Sequence, residues 1–364
     1  MKRFFVLAFC SIICIIGSAQ PSTVHVDGGG LHVQGIAYDS YAGCMYMSFT
    51  SSFFKTDMNG KIIASISGIN GHLGAMTFDP EGRKVYASLE FKDDSIGKGI
   101  SSHLGAHEWS RSESVFYIAV IDVDKVTRTD MKQDDAITLV KVDQACQDYL
   151  ATVENGGKKL DHRYACSGID GVTIGPAIGS DNDNGQKFLY VAYGIYGDIS
   201  RTDNDYNVLL AYPLDYVGKC AAKSQPAKRV LSKVSAKYFV HTGNTTWGVQ
   251  NLAYDPHTRQ LLMAVYKGKK KQWPNYSLFA LDIAQKPVKA ALDGVEYQSG
   301  KVSQLCVCGN WFFKWGSTGL CPLGDGRFYI SQQGKKNGNQ YCDATLYRWT
   351  GSSNPDVAPF KKMK

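Results

Sequence analysis

One phrase recurs along this 364-residue chain and leaves few folds open. It starts on a small or polar residue, alternates apolar positions, and closes on an Asp-Pro-like turn. Copies stand at 34–39 (QGIAYD), 74–80 (GAMTFDP), 170–176 (DGVTIGP) and 250–256 (QNLAYDP), with a degenerate copy at 318–324 (TGLCPLG). A second strand-like segment follows each copy, at 44–49, 84–90, 187–193, 260–266 and 327–332. Third strands read at 53–56, 115–122, 208–212, 277–282 and 344–349. Period-two patterning with Asp, Pro and Gly at the joints is the pattern of strands and hairpins. The 21 Tyr, 16 Phe and 6 Trp, set among 37 Gly, suit that reading.

A repeated unit of four strands cannot bury its apolar face alone, so neighbouring copies must stack, and the architecture that does this in a ring is the β-propeller. The expectation is therefore an all-β chain of five blades. Outer strands are predicted at 61–67, 136–142, 228–234 and 295–303. The fifth copy has no outer strand before the chain runs out. The segment 22–27 is predicted to supply it, closing the ring with an N-terminal strand. The long interval 125–164 leaves room for a sixth blade. A pair of β-sandwiches is the competing architecture, and repeats of this kind are the more specific signal.

The chain opens Met1-Lys2-Arg3, continues through an apolar run to Ile16, and reaches small residues at Gly17-Ser18-Ala19. This is the layout of a secretory leader, with cleavage predicted after Ala19 and a propeller domain over 20–364. The apolar run is shorter than the about 20 residues needed to span a bilayer, and no later stretch resembles an integral membrane segment. A secreted or periplasmic protein is expected. Net charge is +7, a modest excess that points away from nucleic acid as partner. Eight cysteines follow the leader. In an oxidising compartment they are expected to be disulfides or buried free thiols.

Inner strands of a propeller begin on one face, and the loops joining second to third strands open on that same face. That places Gln34, Gly74, Asp170, Gln250 and Thr318 in a ring, with Asn251 one step further in. The long loops 91–114, 194–206, 267–276 and 333–343 surround it, and long insertions confined to one face are usually functional. Asp170 stands out, because the repeat itself asks for no acid there. Glu90 ends its strand at the same mouth. These two carboxylates are the candidate catalytic acid and base. With Asn251 they are also hard oxygen donors for a calcium ion. Gln34, Gln250, Tyr193, Tyr266, Lys267, Lys269 and Trp273 are the candidate ligand-binding side chains, their amides, rings and ammonium groups suiting a sugar or an anion. The run Asp181-Asn-Asp183-Asn-Gly185 imitates a calcium loop but reads as a polar hairpin on the far face. His103 and His107 have helical spacing in surroundings that read as loop.

The phrases 168–172 and 249–256 resemble those of exported bacterial propellers in the broad gluconolactonase, strictosidine-synthase-like and phytase-like group. That resemblance implies calcium in the central channel, held by residues such as Asp170, Asn251 and Glu90. A five-blade count departs from the six or seven of that group. The reading is a propeller that binds a carbohydrate or other small anionic ligand on its loop-bearing face. A calcium-assisted hydrolase or lyase acting on a carbohydrate or lactone is the alternative, and an envelope scaffold for protein interactions is a third.

Overall fold

The computed structural model describes residues 20–243 and 246–364, so the leader expected at 1–19 lies outside the described residues. Five sheets stand in a ring, each opening with one copy of the repeated phrase. From channel to rim, blade 1 runs Gly35–Asp39, Cys44–Phe49, Ser52–Asp57 and Ile62–Ile66. Blade 2 runs His72–Asp79, Lys84–Phe91, Val115–Asp122 and Ile137–Val142. Blade 3 runs Cys166–Pro176, Lys187–Ile195, Tyr206–Pro213 and Ala236–His241. Blade 4 runs Thr246–Asp255, Gln260–Tyr266, Leu278–Asp282 and Gly309–Trp311. Blade 5 supplies Leu320–Pro322, Arg327–Lys336 and Asn339–Trp349, and takes Thr23–Gly29 as its rim strand. Val24 opposite Ala344 and Val26 opposite Cys342 set that closing register.

The buried apolar side chains fall into clusters that each lie between two neighbouring blades, one for every junction of the ring. A blade is thus half of two cores, which is why the pattern must repeat and close. The repeated Asp explains itself on the far face. Asp39 Oδ1 accepts the backbone N–H of Tyr41 and Ala42, Asp79 those of Glu81 and Gly82, and Asp255 those of His257 and Thr258. Each caps the turn between first and second strands. Arg83 then reaches from blade 2 to Asp39 of blade 1 at 2.5 Å.

Several predicted segments are corrected. The rim strand of blade 3 is Ala236–His241, not 228–234, and that of blade 4 is Gly309–Trp311, not 295–303. Parts of the predicted segments cross to a neighbour instead: Val230–Leu231 lies parallel to blade 2, and Val302–Leu305 parallel to blade 3. A rim strand leaves N–H and C=O groups unpaired, and local sequence does not say whose edge a strand will cover. The interval 125–164 holds no sixth blade; it supplies the end of blade 2, the helix Asp143–Leu150 and the hairpin Thr152–Asn155 with Lys158–Asp161. The segment 333–343 is largely a prolongation of the blade 5 hairpin rather than a loop. All eight cysteines are free thiols, and only Cys306 and Cys308 are exposed, so the structure carries no disulfide among the described residues. No helix among those residues is long and apolar enough to cross a membrane.

Candidate functional site

Three inner strands break register near the loop-bearing face: between Leu73 and Met76, between Ile169 and Val172, and between Val249 and Asn251. Such bulges leave residues outside the ladder and re-aim them. The residues freed here include Asp170 and Gln250. Both are buried and line a cavity of about 540 Å³, together with Gln34, His72, Lys92 and Tyr266.

At its floor, Glu90 Oε1 accepts the N–H of Ile169 at 2.7 Å, and Oε2 lies 2.8 Å from Lys92 Nζ and 3.3 Å from His72 Nδ1. His72 Nδ1 is 3.7 Å from Asp170 Oδ1, and Gln250 Nε2 donates to Asp170 Oδ2 at 3.1 Å. Two glycines make the cluster possible. Gly168 has φ +125°, and a Cβ there would fall 1.9 Å from Glu90 Oε1. A Cβ on Gly194 would meet Asp170 Oδ2 at 2.7 Å.

Burial, reinforced by the charge of Glu90, pushes the Asp170 carboxyl up to about 7. For Lys92, burial alone would favour the neutral amine, but Glu90, Asp94 and Asp170 more than reverse this and hold it a cation. Burial, with the charge of His72 beside it, drops His32 to about 4, leaving a neutral imidazole whose Nε2 sits 2.9 Å from Gln34 Nε2.

The helix Ser95–Leu104 covers the cavity. Asp94 caps it by accepting from Ile96 and Gly97 N–H, and Gly105 ends it with φ +61°. Ile96, Ile100 and His103 face inward from it. His103 is therefore helical, contrary to the loop expected around it. Trp247 also lines the cavity, 37% exposed and in a left-handed backbone conformation at φ +64°. Its carbonyl accepts from Gln250 Nε2 at 2.9 Å.

Gln34, Glu90, Asp170, Gln250 and Tyr266 thus converge, Glu90 just beneath the lining. Asn251 is buried close by, but its amide donates to the carbonyls of Gln34 and Ser317, tying blade 4 to the starts of blades 1 and 5. Tyr193 is fully buried between blades 2 and 3, its hydroxyl donating to Asp148 at 2.6 Å. Lys267, Lys269 and Trp273 lie away from this lining: Lys267 over Phe312, Lys269 in solvent, and Trp273 edge-on to His241. Within the same lysine run, Lys270 is buried and pinned to Asp205. Asp183 of the calcium-like run is tied to Arg259 on the far face. Sequence reasoning missed His72, Lys92 and Trp247. The signal for Lys92 was its place two residues beyond Glu90, which puts both side chains on one strand face.

His72, Glu90 and Asp170 each bring one donor atom within 4.8 Å of the others, close enough to share an ion. The surroundings suit calcium poorly. That ion takes about six to eight oxygens, whereas both Glu90 oxygens are engaged and Lys92 already places a buried positive charge at the cluster. What the arrangement can do without a metal is hold and release a proton at Asp170 and hydrogen-bond a polar ligand from several sides. No protein-family model matches the chain, and no curated protein matches it.

Proposed function

We propose that this propeller binds a small, neutral polyhydroxylated molecule, a carbohydrate or sugar lactone, in the covered cavity. The observation that carries the reading is Trp247. A bulky residue at positive φ is a strained exception, and such strain collects at functional sites. Here it presents a flat apolar face at the cavity mouth. Lining the same cavity are Asp170, Gln250 and Gln34, which offer the convergent polar groups that orient a ligand in a mainly apolar pocket. A sugar ring needs both, a C–H face to stack and an edge of hydroxyls to pair. With Lys92 offsetting Glu90 and the Asp170 carboxyl raised to about 7, the floor carries little net charge, which favours a neutral ring over the anionic ligand that the lysine loop suggested. The basic leader with its apolar run supports a secreted or periplasmic setting, and a lactone ligand is in keeping with the gluconolactonase-like phrases.

A second reading, hydrolysis or elimination on that ligand, is favoured by the position of the Asp170 pKa near neutrality, where a carboxyl both gives and takes a proton at useful rates. Asp170 is then the acid–base residue, and the Glu90–Lys92 pair fixes the field around it.

Titration calorimetry against a panel of neutral monosaccharides and lactones tests both. Trp247→Ala should weaken every binder by roughly tenfold or more, as loss of a central aromatic contact does. Asp170→Asn should keep affinity within a few-fold while abolishing turnover. Unchanged affinity in Trp247→Ala sinks the binding site as drawn, and retained turnover in Asp170→Asn removes the acid–base role.

A further inference from the structure

The covered cavity does not end at the lid. A second depression of about 560 Å³ runs outward over blade 1, under the C-terminal end of the helix, and shares Leu31 and His103 with the first. Its bed is the glycine run Gly28–Gly30. Its sides carry the hydroxyls of Ser51, Ser52 and Thr129 and the rings of Phe49 and Phe54, while Asp130 engages Ser67 Oγ through its carboxylate and Ser65 Oγ through its N–H. At the neck, Gly30 faces the His103 ring: a Cβ on Gly30 would fall 2.7 Å from His103 Cε1. Leu31 and His103 flank the join, Gly30 adds no side chain to it, and hydroxyls together with the rings of Phe49 and Phe54 line the outer half.

Resting on the proposed sugar site, we infer that the ligand is a linear neutral oligosaccharide. Its terminal unit sits between Trp247 and Asp170, and its next units lie in the groove over Gly28–Gly30. Two compartments of about 540 and 560 Å³ that share Leu31 and His103 leave room that a single-ring ligand does not fill. The hydroxyls of Ser51, Ser52 and Thr129 beside the exposed backbone of Gly29 and Gly30 can donate to and accept from successive sugar hydroxyls.

The test is calorimetry on the 20–364 chain with neutral homo-oligosaccharides of one to six units, over several linkages. Affinity should rise about tenfold or more between one and three units and then level off. Gly30→Leu, which fills the neck, and Ser52→Trp, which fills the outer bed, should each return the trisaccharide to the monosaccharide's affinity. Trp247→Ala should weaken all lengths alike. Affinity that is flat with length overturns the extended groove and leaves the monosaccharide site standing. Binding at no length overturns both. A gain with length that survives both groove variants places the extra units elsewhere and overturns this path.

Discussion

Asp170 sets the chemistry of the cavity through a single physical conflict. Its carboxyl is buried beside a second carboxylate, so ionisation is opposed twice, and it titrates at about 7 rather than 3.8. Between those two values the unfolded chain has lost this proton while the folded chain keeps it. The folded state therefore binds more protons, and stability falls as pH rises through that window. Below it and above it, the residue adds no slope. Replacing Asp170 by Asn should remove the fall, so that the variant gains on the wild type between pH 4.5 and pH 8 by about 3 kcal/mol. Urea melts at the two pH values measure it, and parallel curves for the two proteins would discard the buried-carboxyl account. His32 tilts stability the other way, because its lowered pKa makes folding favour the neutral ring as pH rises from about 4 to 6.5, but it is present in both proteins. Asp170 was legible in the sequence because the repeat asks for no acid there. His72 was not, since the bulge after Leu73 moves it onto the cavity from a position the regular register assigns elsewhere. Gly168 belongs with it: a glycine whose reason is a neighbour's carboxylate leaves no mark in a single sequence.

At the scale of elements, the repeats gave up their strands and the lid hid itself. Inner and second strands are short and alternate cleanly, so most of their bounds lie within a residue or two of expectation, although Cys166–Pro176 and Thr246–Asp255 begin four residues early and Arg327–Lys336 ends four residues late. The lid Ser95–Leu104 contains Gly97, Gly99 and a Ser101-Ser102 pair, residues that weaken a helix in isolation, and its stability comes from the cap and from packing on the cavity. Asp94 serves both ends of that bargain. It accepts two N–H groups of the first turn, and it sits 3.5 Å from the buried Lys92 ammonium. Asp94→Ala should cost about 1 kcal/mol of helix stability, as lost N-caps do. Hydrogen exchange should then accelerate at 95–104 while the blades keep their protection. Exchange that rises equally in all five blades would show that the helix is no separate unit. The rim strands of blades 3 and 4 were misread for a different reason: a β-rich segment announces that it pairs, and never with which edge.

Ring closure is a property of the whole chain, and the N-terminal strand is where it is decided. Thr23–Gly29 alternates exposed and buried residues along its length, and its inward Val24 and Val26 are fully buried in the core shared by blades 5 and 1. Tyr329 adds a hydrogen bond to the Pro21 carbonyl, and Leu346 N–H one to Ser22. Removing the segment therefore strips a rim strand from blade 5 and opens one of the five junctions. Each large apolar side chain lost from such a core is worth about 1.5–3 kcal/mol, against a total stability of about 5–15 kcal/mol for a typical domain. Two valines and a whole ladder of backbone hydrogen bonds make up a large part of that margin. A chain beginning at Gly30 should accordingly melt at much lower temperature, with blade 5 losing exchange protection before blades 2 and 3. Because the missing piece is one strand with a defined register, a synthetic peptide of residues 20–30 should restore much of the melting temperature in proportion to its concentration, as binding to the folded state requires. A truncated chain that melts like the full one would mean that the carboxy-terminal Phe360–Lys362, which pairs with Tyr347–Trp349 on the same strand, is enough to hold the ring shut.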